Sequence, residues 1–205
     1  MRAFAPLSLI AALLLATVPA AAQQAPFQQW QAVIAERDEA RFIAIPQVRD
    51  RARELAESYG QMDELETLRA LLDSPAQPLD VAALPGTYPC RTITLAATPG
   101  HREDLKIHGW FTCRIAETAD GITFEKLTGS WRTAGWLYAE TEFSRVYLGA
   151  KSDPGAARLT AYGESASRNE VAVLEQVGPG HYRMMFGADP EGSRFTVLDI
   201  DAQGR

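Results

Sequence analysis

The stretch that decides the fold reads GTYPCRTITLA at residues 86–96, and KIHGWFTCRI follows it at residues 106–115. Both segments are rich in the β-branched and aromatic residues that suit a pleated, half-buried surface. Between them lies Pro99-Gly100, a dipeptide that is typical of turns. These features predict the first antiparallel hairpin of a β domain, with strands at 87–96 and 106–115.

Segments of the same composition continue downstream, separated by turn residues. They predict further strands at 121–128, 131–139, 143–149, 170–177, 181–187 and 194–200. Because the connections are short, consecutive strands are expected to pair as antiparallel neighbours. Eight short strands in this order predict a closed, up-and-down β-barrel, since closure removes exposed edges. The Gly86-x-Tyr88 opening resembles the Gly-x-Trp of lipocalin-like barrels, and this resemblance concerns the fold only. A two-sheet β-sandwich is the alternative.

Upstream of the β domain, apolar residues recur at the three- and four-residue spacing of helices. Pro46 is expected to end or kink a first helix, and Gly60 is suited to end a second one. A third helix is predicted to bury a face of leucines, namely Leu65, Leu68, Leu71 and Leu72. The sequence therefore predicts an α+β protein, with a short helical segment before the barrel.

The first 22 residues have the pattern of a secretory signal. Arg2 makes a positive start, Leu7–Val18 is apolar, and Ala20-Ala21-Ala22 supplies the small residues of a cleavage site. Cleavage is expected after Ala22, with a periplasmic or secreted location for the mature chain. The predicted organisation is a signal peptide at 1–22, a helical segment at 23–78 and the barrel domain at 79–205.

Composition excludes several classes of protein. The chain has 205 residues, of which 46% are hydrophobic and 22% charged, as in ordinary globular proteins and unlike disordered chains. Its net charge of −6 argues against general nucleic-acid binding, which needs a basic surface. No apolar run is long enough to form a transmembrane helix, so no membrane span is expected in the mature chain.

Four runs of the β domain resemble a family of secreted bacterial proteins. They are GTYPCRTI at 86–93, FTCRI at 111–115, FEKLTGSWR at 124–132 and YLGA at 147–150. Together they resemble the family called domain of unknown function 4893. The resemblance implies an exported protein with a helical lead and a β-rich body, and it assigns no reaction, cofactor or partner.

Cys90 and Cys113 lie in successive predicted strands. If the hairpin is centred on His101 and Arg102, the two cysteines face each other directly. An oxidising compartment then favours a disulfide between them. Two unpaired thiols or a metal pair are the alternatives. A metal site is disfavoured because the sequence has no Cys-x-x-Cys motif and no cluster of histidines.

The same register predicts a group of charged side chains on one partly apolar face. It places Arg91 opposite Thr112, with Arg114 and Trp110 on the same side of the sheet. A two-residue turn at Asp120-Gly121 would bring Glu125 onto this face as well.

Two interpretations of this group are open. The favoured one is an Arg–Glu–Arg ion cluster that closes one end of the barrel, because buried charges must be paired. The other is a pocket for a small anion or carboxylate that two guanidinium groups would bind. The candidate ligand-binding residues are Arg91, Trp110, Arg114 and Glu125.

The sequence shows no established catalytic motif, so we predict no catalytic residue, no metal site and no cofactor. The run LTGSWRTAGW at 127–136 is unusual because it contains two tryptophans and two glycines. Trp131 and Trp136 are expected to pack as core residues against the N-terminal helices. Alternatively, they form an aromatic lip at a pocket mouth, suited to a sugar or an apolar ligand.

These sequence features leave three candidate functions. The first is an exported, non-enzymatic cell-envelope protein that binds a small or amphipathic ligand in the β body. The second is an interaction module that docks an envelope protein through the N-terminal helices. The third, a periplasmic hydrolase, is the least favoured because no local feature activates a nucleophile.

Overall fold

A computed structural model of the protein describes residues 29–98, 105–189 and 192–204. The predicted signal peptide at 1–22 lies outside these residues. Within them, no helix is both long and apolar enough to span a membrane.

Three helices precede the β domain. They are α1 (Glu36–Ile43), α2 (Ile45–Tyr59) and α3 (Met62–Leu72), and a single 3-10 turn at Trp30–Ala32 comes before them. Pro46 lies in the first turn of α2, where its missing N–H has no intrahelical partner to lose. Gly60 directly follows α2, as its position in the sequence predicts.

Eight strands follow: β1 (Gly86–Ala96), β2 (Leu105–Thr118), β3 (Gly121–Lys126), β4 (Arg132–Ala139), β5 (Ser144–Ser152), β6 (Asn169–Gly178), β7 (His181–Phe186) and β8 (Arg194–Asp201). Each strand pairs antiparallel with its neighbour in sequence, and β8 pairs with β1. The sheet therefore closes into an eight-stranded barrel. This confirms the predicted α+β fold and excludes the sandwich.

The helices pack on the outer wall of the barrel. Leu68 and Leu71 of α3 are buried in one apolar cluster with Ile93 of β1 and Val197 of β8. Alternation along β1 makes this contact possible, because Ile93 points outward while Thr92 points into the barrel. The predicted leucine face of α3 is thus covered by the protein's own β domain.

One end of the barrel is closed by the chain that leads into β1. Leu79 and Leu84 are buried in the interior cluster together with Tyr88. The hydroxyl of Tyr88 donates a hydrogen bond of 2.9 Å to the carbonyl oxygen of Leu84, which fixes this segment against the strand. The opposite end of the barrel has no such plug among the described residues, and a cavity lies there.

The predicted disulfide between Cys90 and Cys113 is present, with a Cα–Cα distance of 5.9 Å. The predicted register is wrong by two residues, because Cys90 pairs with Phe111 and Cys113 pairs with Tyr88. The bond is therefore diagonal, and it still falls within the reach of a disulfide. A shift of two residues keeps both cysteines on one face of the hairpin, as predicted. In the structure this face points into the barrel, and both cysteines are buried in the interior cluster. After Arg91 a β-bulge changes the pairing further, so that Ile93 pairs with Ile107.

Candidate functional site

Two of the four candidate residues form an ion pair on the outer wall. Arg114 and Glu125 are directly opposite on β2 and β3, and Arg114 Nη2 lies 2.9 Å from Glu125 Oε2. Arg132 Nη2 lies 3.0 Å from Glu125 Oε1. An Arg–Glu–Arg cluster exists, but its second arginine is Arg132. Arg114 and Glu125 also line a shallow outer groove of about 320 Å³, together with Trp136.

Arg91 and Trp110 belong to a different place on the wall. Arg91 Nε lies 2.8 Å from Asp199 Oδ2, and its guanidinium group lies 4.6 Å from the centre of the Trp110 ring. His181 Nε2 lies 2.8 Å from the other oxygen of Asp199. The expected convergence of Arg91 with Arg114 and Glu125 is therefore wrong. Barrel closure puts Asp199 of β8 opposite Arg91, and pairing within one hairpin cannot foresee that partner.

The interior cavity lies at the end of the barrel opposite Leu84 and has a volume of about 300 Å³. In an antiparallel barrel the strands alternate in direction, so the ends of β1, β3 and β7 meet the starts of β4, β6 and β8 here. Its lining combines aromatic rings with polar side chains. Among the lining residues are Thr92, Thr94, Phe111, Lys126, Trp131, Glu170, Phe186 and Thr196.

Lys126 is the buried cation of this cavity, and its residue is 1% exposed. Its Nζ donates hydrogen bonds to the carbonyl oxygens of Thr128 at 2.7 Å and Trp131 at 2.9 Å. The ammonium also lies 3.9 Å from the centre of the Phe111 ring. Burial lowers the pKa of Lys126 to about 8, because these neutral partners replace water without supplying a negative charge.

Gly129 allows the loop after β3 to approach the amine of Lys126 closely. Its φ is +93°, and a Cβ built on it would lie 2.7 Å from Lys126 Nζ. Any larger residue at this position would have to displace the amine or strain the loop. The β3–β4 connection is therefore shaped around Lys126.

Glu170 is the buried carboxylate of the cavity, with a residue exposure of 4%. Trp131 Nε1 donates to its Oε1 at 3.2 Å, and Lys151 Nζ lies 3.6 Å from the same oxygen. Its Oε2 is buried and has no hydrogen-bond partner among the described residues. Burial raises the pKa of Glu170, and Lys151, Thr133 and Trp131 counteract only part of that shift.

Two threonine hydroxyls of β1 share this property with Glu170. The Oγ1 atoms of Thr92 and Thr94 are buried and have no hydrogen-bond partner among the described residues. Nearby Thr133 behaves differently, because its Oγ1 lies 2.6 Å from the hydroxyl of buried Tyr147. Folded proteins leave few buried polar groups unpaired, and each one costs about 1–3 kcal/mol. Three such atoms around one cavity therefore call for an explanation.

Trp131 and Trp136 do not pack against the N-terminal helices, so that prediction is wrong. Trp131 lies at the cavity, with its ring centre 5.4 Å from that of Phe186. Trp136 lies on the outer wall and is 36% exposed. The aromatic-lip interpretation thus applies to Trp131 alone.

The sequence-based search for a site missed Lys126, Glu170 and Thr92, although a signal was present for the first. In the predicted register Lys126 lies opposite Ile115, an inward-pointing residue, and a shift of two residues does not change its face. A lysine at an inward position of a barrel strand is rare, because burying its charge is costly. No comparable signal identified Glu170 or Thr92, since both belong to runs of ordinary strand composition.

Comparisons with known proteins identify the family. The model of a family described as "Domain of unknown function (DUF4893)" matches residues 30–200. No curated protein matches the chain. Among solved structures, a redesigned β-barrel is similar with 8% sequence identity and a TM-score of 0.39, covering 63% of this chain and 99% of that one.

Proposed function

The chain belongs to the family described as domain of unknown function DUF4893, and we propose that its barrel binds a small polar ligand in the interior cavity. We further propose that the protein works outside the cytosol. The signal-like N-terminus and the Cys90–Cys113 disulfide support this location, because disulfides persist in oxidising compartments.

One observation carries the binding role. Thr92 Oγ1, Thr94 Oγ1 and Glu170 Oε2 are all buried and unpartnered among the described residues, and all three residues line the same cavity. A ligand that supplies hydrogen-bond partners would recover what these atoms lack. Binding pockets of proteins combine an apolar lining with a few placed polar groups in this way.

The two other functions find less support in the same residues. The leucine face of α3, through which a partner could dock, is buried against the barrel wall. A hydrolase would need an activated nucleophile, and no local sequence feature activates Ser130, the serine that lines the cavity. Neither alternative accounts for the unpartnered atoms of the cavity.

A pair of matched substitutions tests the binding role. Thr196→Phe would fill the interior cavity, whereas Thr123→Phe would fill the shallow groove on the outer wall. The protein is heated with and without the low-molecular-mass fraction of a bacterial envelope extract. We expect the extract to raise the Tm of the wild type and of Thr123→Phe, because a ligand that binds only the folded state stabilises it. Thr196→Phe should show no such rise.

Near-UV circular dichroism first establishes that both variants keep the native fold. An equal rise in Tm for Thr196→Phe would place the ligand elsewhere and contradict the proposal. A wild type whose Tm does not respond to a saturating extract would contradict it as well.

A further inference from the structure

Resting on the proposed binding role, we infer the class of ligand: a single saccharide ring. Its hydroxyl groups would donate to Glu170 Oε2 and exchange hydrogen bonds with the hydroxyls of Thr92 and Thr94. Its carbon skeleton would lie against the aromatic side chains of the cavity.

The unpartnered atoms exclude a purely apolar occupant. Glu170 Oε2 in its ionised form accepts hydrogen bonds only, and a threonine hydroxyl can both donate and accept. An alkyl chain in the cavity would leave all of these groups without partners. A ligand with several adjacent hydroxyl groups can serve a carboxylate and two threonines at once.

The charges around the cavity favour one kind of hydrogen-bond donor on the ligand, the group that would face Glu170. Four arginine and lysine side chains line the cavity together with His108, and the acidic side chains in its described lining are Glu170 and Asp189. The arginines and lysines are Arg41, Lys126, Lys151 and Arg194. This excess of positive charge would repel an ammonium group on a ligand. A hydroxyl group, on a neutral or an acidic molecule, meets no such repulsion.

Aromatic side chains supply the other half of a sugar site. Phe111, Trp131 and Phe186 line the cavity, and the C–H groups of a sugar ring can pack on such surfaces. The hydrogen bond from Trp131 Nε1 to Glu170 Oε1 holds the indole next to the carboxylate. Polar and apolar contacts are therefore available to the same small ring.

Cavity size sets the extent of the ligand. A volume of about 300 Å³ lies at the lower end of the roughly 300–1,000 Å³ seen for small-molecule pockets. It suits one ring and not a buried oligosaccharide. The occupant is thus a monosaccharide or the terminal ring of a larger glycan.

Trp131 gives a direct readout of occupancy, because its indole N–H donates to Glu170 inside the cavity. The protein is labelled with ¹⁵N, and the indole signals of Trp131 and Trp136 are assigned from single Trp→Phe variants. Glucose, galactose, N-acetylglucosamine, glucuronate and glucosamine are then titrated separately, with laurate as the apolar comparator. We expect at least one hydroxylated probe to shift the Trp131 signal and leave that of Trp136, on the outer wall, unchanged.

A substitution without a change of shape tests the hydrogen bonding. Thr92→Val should weaken binding of the sugar that shifts Trp131 by about tenfold, the loss expected for one buried hydrogen bond. Thr123→Val, on the outer wall, should leave the affinity unchanged. Glucosamine should bind more weakly than glucose, because the cavity carries an excess of positive charge.

The possible outcomes separate the two proposals. If laurate shifts Trp131 and none of the sugars does, the saccharide inference is overturned while the binding role stands. An unchanged affinity in Thr92→Val, or tighter binding of glucosamine than of glucose, also overturns the inference. If the envelope extract and every probe leave both Tm and the Trp131 signal unchanged, the binding role itself fails.

Discussion

Thr92 and Thr133 are two threonines whose hydroxyl groups have different environments inside the barrel. Thr133 shares a hydrogen bond of 2.6 Å with Tyr147, whereas Thr92 Oγ1 has no partner among the described residues. Since the valine side chain has the shape of threonine without its hydroxyl, Thr→Val at each site isolates the hydrogen bond. The binding site that we propose would explain Thr92, because a hydroxyl that pairs with a ligand has no partner when the ligand is absent.

The two threonines should respond to Thr→Val with opposite signs. In the absence of ligand, Thr92→Val is expected to raise the free energy of unfolding by about 1 kcal/mol, because it removes an unpaired buried hydroxyl. Thr133→Val should lower it by about 1–2 kcal/mol, because it leaves the buried Tyr147 hydroxyl unpaired. Urea unfolding measures both. A loss of stability in Thr92→Val would contradict this account of the cavity.

Lys126 makes stability depend on pH in the alkaline range. Its pKa is about 8 in the folded protein and 10.5 as its ordinary value. Between these values the unfolded chain binds more protons than the folded one, so the free energy of unfolding rises with pH. We expect the wild type to gain stability relative to Lys126→Met from about pH 8 to 10.5. Urea unfolding over this range measures the gain.

Lys151→Met is the matched control, since the side chain of Lys151 is 48% exposed at the rim of the cavity. Stability relative to this variant should not show the same rise. A flat difference between the wild type and Lys126→Met would show that the amine titrates at its ordinary pKa. It would then be better hydrated than its burial indicates.

At the scale of elements, the disulfide joins the first two strands across the inside of the barrel. Its cysteines are 23 residues apart, and closing a loop of this size stabilises a protein by about 3 kcal/mol in the chain-entropy model. We expect the double variant Cys90→Ala/Cys113→Ala to lose about this amount. Urea unfolding measures it, and the reduced wild type should behave alike. A variant as stable as the oxidised wild type would show that strand pairing alone holds this hairpin.

The sequence predicts which strands exist far better than how they pair. The predicted strand at 131–139 is β4 at Arg132–Ala139, and all eight strands are present. Alternation of apolar and polar residues fixes the face of each side chain, but it does not distinguish registers that differ by two residues. The predicted pairing of β1 with β2 is therefore wrong in register, whereas the two cysteines do lie on one face of the hairpin, as predicted.

At the scale of the whole molecule, the site depends on contacts that no local pattern contains. Thr92, Lys126 and Glu170 come from β1, β3 and β6, and only closure of the barrel brings them around one cavity. Closure could be inferred from the need to remove sheet edges. The partners of individual charges, such as Asp199 for Arg91, could not, because they depend on the pairing of the first strand with the last.

The packing of the helices on the β1–β8 seam has a consequence for the order of folding. Leu68 and Leu71 share one cluster with Ile93 and Val197, which come from the first and the last strand of the barrel. A ribosome releases the chain from its N-terminus, so the helices and β1 emerge long before β8. The apolar faces of the helices and of β1 therefore stay partly uncovered until the last strand is available. We expect the growing chain to become resistant to proteases only once Arg194–Asp201 has emerged.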